Sequence, residues 1–208
     1  MAGRYILMGD IVRSSMYDAR KLRREFMQFM SSCNRKLAGE ILSPYTVTLG
    51  DEFQGVARSL RGLFDAVFYL EETSLQEGLK FKMRYVGLHG EIETPVNRMK
   101  AHGMMGAGLA RARKLLTDKR RGKSRFQFEL PDVQMTKELN RLFLVIDGLI
   151  ARWAPDDGTL ILDMIANTNN VEVGKKHGKN RTQIWKRRKH LLIEEFRALK
   201  EVVLDLAK

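Results

Sequence analysis

The sequence predicts an α+β protein: a ferredoxin-like sandwich over residues 1–130, then an all-helical part over residues 131–208. Three observations carry this. Apolar residues alternate between the two-residue step of strands and the three-to-four-residue step of helices, in the order strand, helix, strand, strand, helix, strand, helix, strand. After Pro131 every apolar pattern is helical. The chain has 208 residues, 44% of them hydrophobic, enough for one large core or two modest ones.

Each element has a local reason. Residues 5–8 are apolar and break at Gly9-Asp10, as a buried strand does at its end. Ser14-Ser15 can cap a helix from about residue 18 to 37, whose stripe is Leu22, Phe26, Phe29, Met30 and Cys33. Residues 45–49 are rich in β-formers, Gly50-Asp51 makes a hairpin turn, and residues 53–57 return as a strand. Ser59 caps a second helix with Leu63, Val67, Leu70 and Leu75 on one side. Residues 81–88 alternate as a strand. A loop holding Pro95 leads to a small-residue helix over 103–116, a basic turn over 119–123 and a last strand over 126–130. Beyond Pro131 the expected helices cover 139–153, 160–165 and a helix-turn-helix over 171–185, closed by a helix reaching Leu206. Leu191, Leu192, Phe196, Leu199, Val203 and Leu206 form a stripe that is either core within the chain or the seam of a homodimer.

Composition narrows the function classes. No apolar run approaches the roughly 20 residues of a membrane helix, so no membrane partner is expected. The start of the chain has no signal-peptide layout, and the lone Cys33 cannot form an intramolecular disulfide; both fit a cytoplasmic location. His89, His102, His177 and His190 lack zinc-ligand spacing. The net charge of +12 is concentrated: residues 171–189 hold eight Lys or Arg against Glu172, and residues 111–125 hold eight against Asp118. Clustered basic charge points to a polyanionic partner.

Two acidic residues invite a metal. Asp10 and Asp51 each end an apolar segment, and in the expected sheet their strands are neighbours. Buried carboxylates need a compensating charge, and hard oxygen ligands suit Mg2+ bridging to nucleotide phosphates. Gly9 and Gly50 would let phosphates approach the backbone, with Arg111, Arg113 and Lys114 holding phosphate. The alternative is that both aspartates merely cap turns.

In the helix-turn-helix, Gly174 would sit where the helices cross, Gly178 in the turn and Ile184 as the apolar anchor. Lys179, Arg181, Thr182, Gln183, Lys186, Arg187 and Lys189 are then the DNA-facing residues, arginine and glutamine suiting base edges and lysines suiting phosphates. A homodimer would supply a second half-site.

Residues 7–15, Leu-Met-Gly-Asp-Ile-Val-Arg-Ser-Ser, resemble the first metal-binding segment of class III nucleotidyl cyclases. Residues 48–53, Thr-Leu-Gly-Asp-Glu-Phe, resemble their second segment and the signature turn of diguanylate cyclases. Residues 86–91, Val-Gly-Leu-His-Gly-Glu, are similar to the cyclase Gly-Ile-His-Thr-Gly-Glu strand. With the C-terminal helix-turn-helix, this order resembles the SatD family over nearly the whole chain. The resemblance implies a bacterial protein with a nucleotidyl cyclase-type palm fused to a DNA-binding domain. Two departures bear on catalysis. The purine-selecting lysine of cyclases is Val47 here, and no asparagine stands four residues before Arg111 or Arg113. Loss of a transition-state donor costs about two to three orders of magnitude in turnover. The expectation is therefore a DNA-binding regulator with a palm that senses an Mg2+-nucleotide. The alternative is a magnesium-dependent cyclase or related phosphoryl-transfer enzyme acting at Asp10 and Asp51, with Arg111 or Arg113 on the phosphate.

Overall fold

A computed structural model describes residues 3–118 and 124–208; the basic turn expected over 119–123 lies outside the described residues. Five strands form one sheet in the order β2-β3-β1-β4-β5: β1 (Arg4–Ile11), β2 (Ile41–Val47), β3 (Glu52–Ala57), β4 (Met83–Gly90) and β5 (Phe126–Glu129). The central β1 runs antiparallel to β3 and β4, and β5 joins β4 in parallel. Apolar alternation on β1 serves both faces. Leu7 and Ile11 enter the core under α1 (Ala19–Lys36) and α2 (Leu60–Gln76), while Ile6 and Met8 face α3 (Ala107–Thr117).

Element boundaries differ from the sequence expectation where tertiary context prevails. The strand expected over 45–49 begins earlier, at Ile41, and contains Pro44. Proline is tolerated there because β2 is the sheet edge and its register is irregular between Ser43 and Thr46. The helix expected from residue 103 starts at Ala107, since Gly106 adopts φ 153°, outside helical space. α1 is capped by Asp18 rather than by Ser14-Ser15, whose stretch forms one 3-10 turn.

The C-terminal part contains α4 (Val133–Ile150), α5 (Gly158–Ala166), α6 (Asn170–Lys176), α7 (Arg181–Leu191) and α8 (Ile193–Leu206). Asp132 caps α4 six residues ahead of the apolar stripe from which that helix was expected to start. The apolar core runs unbroken across position 131. Phe143 of α4 is fully buried and its ring lies 4.5 to 5.7 Å from those of Phe64, Phe68, Phe126 and Phe128. The stripe on α8 is used inside the chain, where Phe196 packs edge-on against Phe68 and against Trp153. Leu191, Phe196 and Val203 are buried, so this stripe is core and offers no dimer seam. Burial supplies the reason: the sheet part alone would leave the aromatic side of α2 in water.

Arg125 adds a polar rivet. It donates to Glu71 of α2 at 3.0 and 2.9 Å, to Asp147 of α4 at 2.9 Å and to the Met83 carbonyl at 2.6 Å. Burial works against its charge, but Glu71 and Asp147 outweigh it and hold the guanidinium protonated. Burial also raises the Tyr85 phenol, which donates to Glu71 at 2.9 Å. Among the described residues, no helix is long and apolar enough to cross a membrane.

Candidate functional sites

The end of β1 brings the two expected metal ligands close through the backbone, where the Ile11 amide donates to the Asp51 carbonyl at 3.0 Å. Their side chains meet different surroundings. Asp10 is 3% exposed, and both its oxygens accept from the Arg84 guanidinium, Nε to Oδ1 at 2.9 Å and Nη2 to Oδ2 at 2.7 Å. Arg84 stands opposite Asp10 on β4, and Glu52 stands opposite it on β3, with Arg113 of α3 at 3.8 Å from Glu52. Asp51 is half-buried and borders a cavity of about 410 Å³ with Ser14, Ser15, Tyr17 and Leu22, on the side of α1.

This donor set does not fit magnesium. A metal shared by Asp10 and Asp51 needs free carboxylate oxygens, and the Asp10 pair is already engaged by a bidentate guanidinium. Among the described residues, no group of three or more His, Cys, Asp or Glu is placed to hold a metal ion.

The phosphate candidates separate as well. Gly9, read as room for phosphate, is covered: a side chain there would overlap the Phe53 ring and stand 2.6 Å from the Arg84 carbonyl. Its small size serves packing. Gly50 is open and holds the hairpin at φ 79°. Arg111 is exposed but grips Glu129 of β5 through three hydrogen bonds of 2.7 to 3.1 Å. Lys114 is exposed in the last turn of α3. Arg113 lines a second cavity of about 450 Å³ with Met8, Gln54, His102, Met104 and Leu109.

The basic element is two helices, α6 and α7, joined by a four-residue turn. Gly174 packs against the Lys179 carbonyl with no space for a side chain, Gly178 takes φ 62°, and Ile184 is fully buried. Lys179, Arg181, Thr182, Lys186 and Lys189 are exposed, and the four cations among them pair with no acid among the described residues. Gln183 has a structural duty. Its Oε1 accepts from the Asn180 amide at 2.8 Å, while its own amide donates to Asn180 Oδ1 at 2.9 Å, closing a capping box. That engages the oxygen an adenine contact would need. Arg187 is half-buried and paired with Asp157. Trp185 is exposed, 52% of it, in the middle of this surface.

Sequence counting missed two arginines. Arg84 was not singled out, although it shares the strand alternation of Val86 and Leu88 that puts it beside Asp10. Arg188 was counted in a solvent-facing run, yet it is 5% exposed and donates to the Met164 carbonyl, the Asn167 carbonyl, Asn170 Oδ1 and Glu194. Burial lowers its pKa, and Glu194 opposes that. His177 in the turn lies 2.6 Å from Asp163 of α5, which also accepts from Lys176 at 2.7 Å.

A mixed α+β sheet protein, with an ion-paired carboxylate at its strand ends and a basic helical C-terminal part, is the class these features define. Its sequence matches the family model described as the SatD family over residues 5–189, and the chain belongs to that family. Comparison with curated proteins finds no match. Among solved structures, two of a bacterial light-regulated adenylyl cyclase are similar. The first is 12% identical, with a TM-score of 0.44 over 61% of this chain and 43% of that one, so this chain spans less than half its length. The second is 14% identical, with a TM-score of 0.43 over 61% of this chain and 75% of that one.

Proposed function

We propose that this SatD-family protein is a cytoplasmic DNA-binding regulator, with residues 131–208 engaging duplex DNA and residues 1–130 acting as a non-catalytic, nucleotide-sensing palm. One observation carries the DNA reading: Lys179, Arg181, Lys186 and Lys189 project from one short helix and the turn before it without acidic partners. Uncompensated cations around a helix of this size suit the phosphates flanking a major groove. Arg181 and Thr182 open the helix and stand where base edges are read, Lys179, Lys186 and Lys189 hold phosphate, and Arg187 contributes only by leaving Asp157.

The sensing role draws support from how tightly the basic helices are tied to the palm. Lys200 of α8 pairs with Glu72 of α2, Arg61 of α2 donates to the Leu204 carbonyl, and the Trp153 indole donates to the last carbonyl of α7 at 3.0 Å. A ligand that shifts α2 therefore has a mechanical route to α7. The phosphoryl-transfer alternative is less well supported, because Asp10 and Arg111 are each committed to a partner.

Fluorescence anisotropy on labelled genomic fragments tests the DNA reading. With about six phosphates contacted, log affinity is expected to fall with log salt at a slope of about −5, and Arg181→Ala with Lys186→Ala flattens it by about 2. A folded double variant that binds as wild type does would refute the assignment.

A further inference from the structure

Asp10 is the one carboxylate of the sheet with almost no access to water, and a buried anion is tolerated only where a cation is fixed beside it. Here the cation belongs to the chain. Arg84 lies in register with Asp10 on the adjacent strand, and two of its nitrogens meet two oxygens in the fork geometry that suits guanidinium to carboxylate. The charges continue across the same face, with Glu52 opposite Asp10 and Arg113 beyond it, so Arg84, Asp10, Glu52 and Arg113 alternate in sign across β4, β1, β3 and α3. The row already balances, and a divalent ion added at Asp10 would leave it two charges in excess and would have to displace Arg84.

We propose that Arg84 is a built-in cation, occupying the place beside Asp10 that a divalent metal would take, so that this site stands without metal and becomes a metal site when the guanidinium is removed. The inference is independent of DNA binding. It also separates this chain from any protein in which the same aspartate is left open: one arginine on the neighbouring strand decides between a structural and a metal-binding carboxylate.

Electron paramagnetic resonance of Mn2+ and thermal melting in Mg2+, Mn2+ or a chelator provide the test, on the full chain. Wild type is expected to leave Mn2+ in its free signal and to melt at the same temperature in all three buffers. Arg84→Gln is expected to take up one Mn2+ per chain and to gain about 5 to 10 °C when the metal is about 100 times its Kd. Arg84→Gln combined with Asp10→Asn loses both responses. Metal uptake by wild type that Asp10→Asn abolishes would overturn the proposal, as would a folded Arg84→Gln that ignores both ions. Where Arg84→Gln does not fold without metal, refolding in Mn2+ is the readout: recovery supports the proposal, and no recovery overturns it.

Discussion

Arg188→Met removes a cation that sequence alone places on the DNA-facing surface and the structure places inside. The guanidinium lies among α5, α6, α7 and α8. It donates to the carbonyls of Met164 and Asn167 at the C-terminal end of α5, to Asn170 in the first turn of α6 and to Glu194 in the first turn of α8. Methionine fills the stem but reaches none of these acceptors. Two carbonyls without their donor cost about 1–3 kcal/mol each, and the lost charge-assisted bonds to Asn170 and Glu194 add to that. Relief from burying a charge, and the apolar packing of methionine, offset about 1–2 kcal/mol. The net loss is about 3 kcal/mol, which for a chain of this length lowers Tm by about 6 to 12 °C. Lys189→Ala, one residue on and exposed, should move Tm by no more than about 2 °C. Thermal melts followed by far-ultraviolet circular dichroism, paired with anisotropy on DNA at a temperature where both variants are folded, separate the two. Arg188→Met should lose stability and keep its salt slope; Lys189→Ala should keep stability and lose about 1 from the slope. An Arg188→Met variant that melts with wild type while its slope falls would refute the assignment of this residue to the interior.

Two further outcomes follow from the packing and the charges. Phe143→Ala opens a cavity among Phe64, Phe68, Phe126 and Phe128, and should cost about 3–5 kcal/mol in a single urea transition; two transitions, one unshifted, would show that the sheet and the helices fold apart. Asp163 is raised by burial but lowered further by its hydrogen bonds to Lys176 and His177, so its folded pKa lies below its unfolded one. The stability this brings is present above about pH 4 and is lost as pH falls through the folded value, so the Tm gap between wild type and Asp163→Asn should close in acid. A gap that persists at pH 2 would contradict this.

The chain of strands and helices was legible because period and punctuation are local: β1 breaks at Gly9-Asp10, the hairpin turns at Gly50, and Ser59 caps α2 as its sequence indicates. The two-helix basic element was legible for the same reason, since Gly174, Gly178 and Ile184 act at fixed spacings. What local pattern cannot encode is which charge meets which. Run-length counting treated Arg125, Arg188 and Arg187 as solvated cations, and each is held by carboxylates or carbonyls contributed from elsewhere in the chain. Gln183 looked like a base reader because capping and reading use the same amide.

By itself, then, the sequence determined the order of elements, the basic C-terminal helix and the presence of an aspartate at the end of the first strand. The tertiary structure alone decided that this aspartate faces Arg84, 74 residues away, and that the aromatic side of α2 is closed by α4 and α8. The physical reason is that backbone propensity acts over a few residues. Charge compensation and apolar burial act across space, between side chains that only the packed sheet brings within about 3–4 Å of each other.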